Sequence, residues 1–167
     1  DALRQILAKK NYPYIRLFGH SGGGALAMLL AERFEQVTDV ITIAGNLDTE
    51  AWIAHHGYTP LYSSLNPSDR VALPSEVRQW HWIGGRDRVV PAKILQPVIA
   101  KQANALGIVV SSYSHNCCWR TLWSDALKQI TNQRINTMPG RVFSLPDMQS
   151  VGGDGKQWQS VKPTGLQ

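Results

Sequence analysis

Tyr14-Ile15-Arg16-Leu17-Phe18-Gly19-His20-Ser21-Gly22-Gly23-Gly24-Ala25-Leu26-Ala27-Met28-Leu29-Leu30 decides the fold of this 167-residue chain. An apolar run closes at Gly19, a helical run is under way by Ala25, and a serine stands at the apex of the turn between them. A G-x-S-x-G turn of this kind brings strand and helix close together, which calls for small residues two before and two after the serine. The serine is pushed into the open. The first N–H groups of the following helix, with the positive end of its dipole, favour an anion beside it. Ser21 is therefore a candidate nucleophile, and the N–H of Gly22 a candidate donor to an oxyanion. Alone, the pattern also fits a Gly/Ser-rich loop or a phosphate-binding turn, so the downstream sequence decides.

Downstream, Val77-Arg78-Gln79-Trp80-His81-Trp82-Ile83 reads as a strand and runs into Gly84-Gly85-Arg86-Asp87-Arg88-Val89-Val90-Pro91. Gly107-Ile108-Val109-Val110-Ser111-Ser112-Tyr113 reads as another and runs into Ser114-His115-Asn116. In an open parallel sheet the ligand crevice lies outside the carboxyl ends of the strands, so Ser21, Asp87 and His115 would face one crevice. Of the five histidines, His20 lies in the elbow and is expected to point away from the base position. His81 lies inside a strand. His55 and His56 precede the irregular Gly57-Tyr58-Thr59-Pro60, which leaves His115, just past a strand end, as the candidate base, although alone it also reads as an ordinary loop histidine. A second acid, Asp48, follows the strand-like Val40-Ile41-Thr42-Ile43-Ala44-Gly45-Asn46-Leu47, but Asp48-Thr49-Glu50-Ala51 also reads as a capped helix start. Capping is the reading taken for Asp48. His20, Trp52, His55 and Tyr58 are candidate residues of a substrate cleft.

The elbow Gly19-His20-Ser21-Gly22-Gly23, the acid loop Gly84 to Pro91 and the Ser114-His115 pair together resemble the C-terminal half of an α/β-hydrolase-fold serine hydrolase, esterase- or lipase-like. The resemblance covers about residues 1–131, and it implies Ser21 as nucleophile, His115 as general base and Asp87 as its orienter. Some members of that family draw the acid from the earlier strand, which keeps Asp48 a competitor. The implied fold is α/β, a mostly parallel sheet flanked by helices, with the N-terminal strands absent. The implied activity is cleavage of an ester or related acyl bond in a small-molecule substrate, without cofactor or metal. A non-catalytic binding protein of the same fold, an amidase and an acyltransferase are the alternatives. In the family the second oxyanion donor comes from a loop that would precede Asp1, and the elbow strand pairs on both sides. The chain is therefore expected to be a portion of a longer polypeptide, or to have its sheet completed by a second chain.

Composition is compatible with this. At 43% hydrophobic there is material for a core, and no apolar run reaches the roughly 20 residues of a membrane span. The net charge of +5 comes from 17 basic residues scattered among 12 acids, not from a basic cluster interleaved with aromatics, which argues against nucleic acid as partner. Cys117 and Cys118 are adjacent, a spacing that disfavours a mutual disulfide, and no other ligands lie near enough to suggest a metal. Residues 46–75 carry Trp52, His55, His56, Tyr58 and Tyr62 and read either as a short cap over the cleft or as an excursion filling the sheet's flank. Residues 132–167 turn to Gly, Pro, Gln and Ser and read as an irregular tail. Arg16 is anomalous in a buried parallel strand.

Overall fold

The computed structural model describes residues 2–132 and 141–145. Apolar runs alternate with helical ones, and the chain folds as successive β-α units. In order these are α1 (Ala2–Lys9), β1 (Ile15–His20), α2 (Gly22–Ala31), β2 (Val37–Ile43), α3 (Thr49–His56), β3 (Arg78–Gly84), α4 (Ala92–Ala100), β4 (Ala105–Val110), α5 (Trp119–Asn132) and β5 (Arg141–Leu145). Every pairing is parallel and the strands lie in chain order, β1-β2-β3-β4-β5. Parallel neighbours need a crossover of a dozen or more residues, and the helices between strands supply it. The fold is α/β.

Helices cover both faces of the sheet. On one, Met28 and Ala31 of α2 and Leu95, Val98 and Ile99 of α4 pack against Val40 and Ile83; Leu3 and Leu7 of α1 lie against the same cluster. On the other, Trp119, Leu122 and Ile130 of α5 pack against Ile41, Trp80, Trp82 and Ile108. Burial on two faces leaves even the polar residues Asp39 and Thr42 of β2 and Gln79 and His81 of β3 without solvent. Strand β1 differs: it alternates half-buried and exposed residues, and among the described residues it pairs on one side only, with β2.

That edge position accounts for Arg16. The β1/β2 register sets Arg16 directly opposite Asp39, and the β2/β3 register sets Asp39 opposite Arg78. Asp39 is fully buried, with Arg16 Nε 3.0 Å from Oδ2 and Arg78 Nη2 2.6 Å from Oδ1. Thr38 Oγ1 also donates to Oδ2, at 2.8 Å. A buried carboxylate needs partners on both oxygens, and the two flanking strands bring one guanidinium each.

Part of the expected irregular tail is regular: Arg141–Leu145 form β5, parallel to β4. The rest of that tail lies outside the described residues. Within 46–75, the Asp48 side chain accepts from Ala51 N–H at the start of α3, Gly57 closes the helix at φ 67°, and a short 3-10 turn follows at Pro67–Asp69. Trp52 packs against the core, whereas Tyr58 and Tyr62 are exposed. No helix among the described residues is long and apolar enough to cross a membrane.

Candidate active site

The turn after β1 holds Ser21 at φ 54° and ψ −123°, a conformation that an L-residue adopts only when its surroundings impose it. Three backbone bonds do so. Ser21 N–H donates to Ile43 O (3.1 Å), and Ser21 O accepts from Gly24 N–H and Asn46 N–H, both at 2.9 Å. The glycines act through space rather than torsion. A Cβ on Gly19 would lie 2.2 Å from Gly23 O, and one on Gly24 would lie 2.7 Å from the Cα of Gly45. A Cβ on Gly23 would meet nothing within 4 Å. The tight positions are therefore Gly19 and Gly24, not the glycine two after the serine that the motif suggests.

Ser21 is the N-cap residue of α2 yet its hydroxyl makes no capping bond. Instead Oγ lies 2.9 Å from His115 Nε2. His115 Nδ1 lies 2.9 Å from Asp87 Oδ2. A carboxylate oxygen only accepts, so Nδ1 carries the proton, and in the neutral imidazole Nε2 is then the acceptor facing the serine hydroxyl. The other Asp87 oxygen, Oδ1, accepts from Val89 N–H and Val90 N–H, both at 2.8 Å. The structure thus brings Ser21, His115 and Asp87, from three strand ends, into one hydrogen-bonded line. The N–H groups of Gly22 and Gly23 open α2 and have no intrahelical acceptor.

Gly84 and Gly85 belong to this geometry through close packing, not through backbone torsion. Neither has a positive φ. A Cβ on Gly84 would lie 2.7 Å from Tyr113 O, and one on Gly85 2.7 Å from Ser111 Cα and O. The acid loop is pressed against the chain leading to His115, and Arg86 N–H donates to Tyr113 O at 2.8 Å. Asp48 lies elsewhere, its Oδ1 accepting from Ala51 N–H at 3.0 Å and Asn66 Nδ2 at 3.2 Å.

The other expected residues divide. His20 does not point away from His115: its Nε2 is 3.1 Å from His115 O, and the two rings lie 5.1 Å apart at 45°. Trp52 Nε1 donates to Val89 O at 2.8 Å, and Tyr58 packs edge-on to Trp52. These residues brace the acid loop rather than meet Ser21. The histidine that joins them is His56, whose Nε2 lies 2.7 Å from Val89 O and whose ring stacks on Tyr58 at 14°. Its spacing of four from Trp52, one helical turn, was the available signal. His55 is exposed beside it, its pKa lowered by loss of hydration and then by the charges of Lys93 and His56. A pocket of about 740 Å³ between α3 and the following loop is lined by Thr49, Ile53, Tyr58, Leu61, Tyr62 and Asn66, and none of Ser21, Asp87 or His115 lines it.

Three further features were not anticipated. Cys117 and Cys118 are joined in a disulfide despite their adjacency, with Cys118 at φ 77°. Trp119 Nε1 donates to both Ser114 O and His115 O at 3.0 Å. His81, fully buried in β3, lies 2.9 Å from Thr42 Oγ1, and burial lowers its pKa to about 3.

No family model matches the chain, and no curated protein is similar to it in sequence. In structure it is similar to the crystal structure of the esterase domain of a Rhodothermus marinus protein, with a TM-score of 0.52 and 19% identity over 68% of this chain. The chain spans 59% of that domain's length. At this identity the likeness is one of fold, an α/β architecture.

Proposed function

We propose that the chain carries the nucleophile, base and acid of a serine hydrolase that cleaves an ester or related acyl bond of a small-molecule substrate. The observation that carries the reading is the pair of 2.9 Å contacts linking Ser21 Oγ, His115 and Asp87 at a serine held in a strained turn. A capping serine whose hydroxyl ignores its own helix and faces a base is arranged for attack.

In the reaction so read, Oγ bonds to the acyl carbon while its proton passes to His115 Nε2, and the carbonyl electron pair moves onto oxygen. The Asp87 carboxylate, fixed by two backbone N–H groups, holds the tautomer and stabilises the imidazolium. Gly22 N–H faces the oxyanion, a donor of a kind worth roughly 3–4 kcal/mol of barrier. The tetrahedral species collapses, the C–O bond to the alcohol breaks, and the alcohol takes the proton from Nε2. Water then repeats the sequence on the acyl-enzyme. A second donor would come from chain beside the edge of β1 that is unpaired among the described residues.

Burst titration of the full-length protein with a chromogenic ester tests this. Release of about one equivalent before steady turnover, absent in Ser21→Ala, is expected of an acyl-enzyme. Turnover that survives in Ser21→Ala would exclude Ser21 as nucleophile. The absence of both burst and turnover would favour a binding protein of the same fold.

A further inference from the structure

His115 stands in an irregular stretch beyond β4, yet its ring has to meet two partners at 2.9 Å at once. Side-chain torsions alone do not hold such a ring if the peptide that carries it can shift, and misplacement by an ångström can cost about 100-fold in rate. What restrains that peptide is therefore part of the site. His115 O receives two donors. One is Trp119 Nε1, which is divided between this carbonyl and Ser114 O at equal distances of 3.0 Å, so each bond is the weaker three-centre kind. The other is His20 Nε2, at 3.1 Å. Because a carbonyl only accepts, His20 must present Nε2–H, so its tautomer is fixed by this contact.

The position of His20 gives the bond its meaning. It is the last residue of β1 and immediately precedes Ser21, so the backbone that sets the nucleophile also holds the donor that fixes the base. The ring-to-ring contact of 5.1 Å adds a second surface against which the His115 imidazole rests. His20 is exposed rather than built into the core, so the fold does not need it for burial.

We infer that His20 is a positioning residue, tethering the His115 backbone so that its imidazole stays in register with Ser21 and Asp87. The inference rests on the serine-hydrolase reading for its purpose but not for its detection.

The test uses full-length protein with His20→Ala and His20→Gln, the latter keeping a side-chain N–H that can reach the carbonyl. Long-range ¹⁵N–¹H spectra of the imidazoles should show His20 as the Nε2–H tautomer and one sharp Nδ1–H set for His115. In His20→Ala the His115 signals should broaden or double, with thermal stability unchanged; in His20→Gln they should stay sharp. For ester turnover, His20→Ala should lower kcat about 10-fold with KM within about twofold, the loss expected of one hydrogen bond to a positioned group, and His20→Gln should recover most of it. Unchanged His115 signals in His20→Ala, or a His20→Gln as impaired as His20→Ala, would overturn the tether. Loosened His115 signals in a protein that hydrolyses no ester would support the tether and remove the hydrolase reading, whereas turnover with an unaltered His115 would do the reverse.

Discussion

Replacing Asp87 by Asn tests the proposed role of the acid with almost no change in shape. Asp87 Oδ1 accepts two backbone N–H groups at 2.8 Å, from Val89 and Val90, and Oδ2 faces His115 Nδ1 at 2.9 Å. An asparagine can satisfy the two backbone donors only with its carbonyl oxygen, because the flipped amide would set N–H against N–H. Its NH₂ group is then forced onto His115 Nδ1, which must become an acceptor. The proton moves to Nε2, the atom that has to take the Ser21 proton, and the base is disabled without leaving its place. The loss expected is up to ~10⁴ in kcat, about 5.5 kcal/mol of barrier, with the unfolding free energy within about 1 kcal/mol of wild type. Ester turnover with parallel urea denaturation measures both. Asp48→Asn is the control: its oxygen still caps α3 through Ala51 N–H, and activity should stay near wild type. A fall of less than tenfold in Asp87→Asn, or a larger fall in Asp48→Asn, would refute the assignment.

Three further outcomes follow from other parts of the molecule. Ser21 sits at φ 54°, so Ser21→Gly should be more stable than Ser21→Ala by about 1 kcal/mol in chemical denaturation, both being inactive; a less stable glycine variant would mean the turn is unstrained. Burial lowers His81 to about 3, so below its ordinary 6.5 the unfolded chain takes up a proton that the folded one refuses. Stability should fall as pH drops from about 6.5 towards 3, by about 2 kcal/mol between pH 8 and 5, and His81→Leu should flatten that slope. Removing Asp39 leaves two guanidinium groups facing each other across the sheet; Asp39→Ala should cost about 2–3 kcal/mol in urea titrations, below the value for fully buried ions because both arginines are partly exposed.

The fold was readable because its signals are local and periodic. Strand-like runs at Ile15, Val40, Trp80 and Ile108, the first three closed by glycine, alternate with helical runs, and that alternation compels a parallel sheet. Ser21, Asp87 and His115 stood out because each follows a strand end, and the topology brings such ends together. What stayed hidden depends on neighbours distant in sequence. Arg16 makes sense only against Asp39, and Asp39 only between Arg16 and Arg78, through cross-strand register. The direction of the His20 side chain depends on the backbone of residues 95 positions away. The roles of Gly24, Gly84 and Gly85 rest on close approach to other segments, which composition does not encode. β5 was lost because its five residues sit among Pro, Gly and Ser with no period of their own, and pairing with β4 outweighs that local signal. The Cys117–Cys118 pairing went against a general preference.

The central claim is that Ser21 is a nucleophile made reactive by its surroundings. It is tested most directly by treating the full-length protein with a fluorophosphonate and locating the adduct by mass spectrometry after digestion. The account predicts one phosphonyl group per chain, on the peptide carrying Ser21, with labelling lost in Ser21→Ala and slowed by orders of magnitude in Asp87→Asn. An adduct on another residue, or equal labelling of Ser21→Ala, would contradict it.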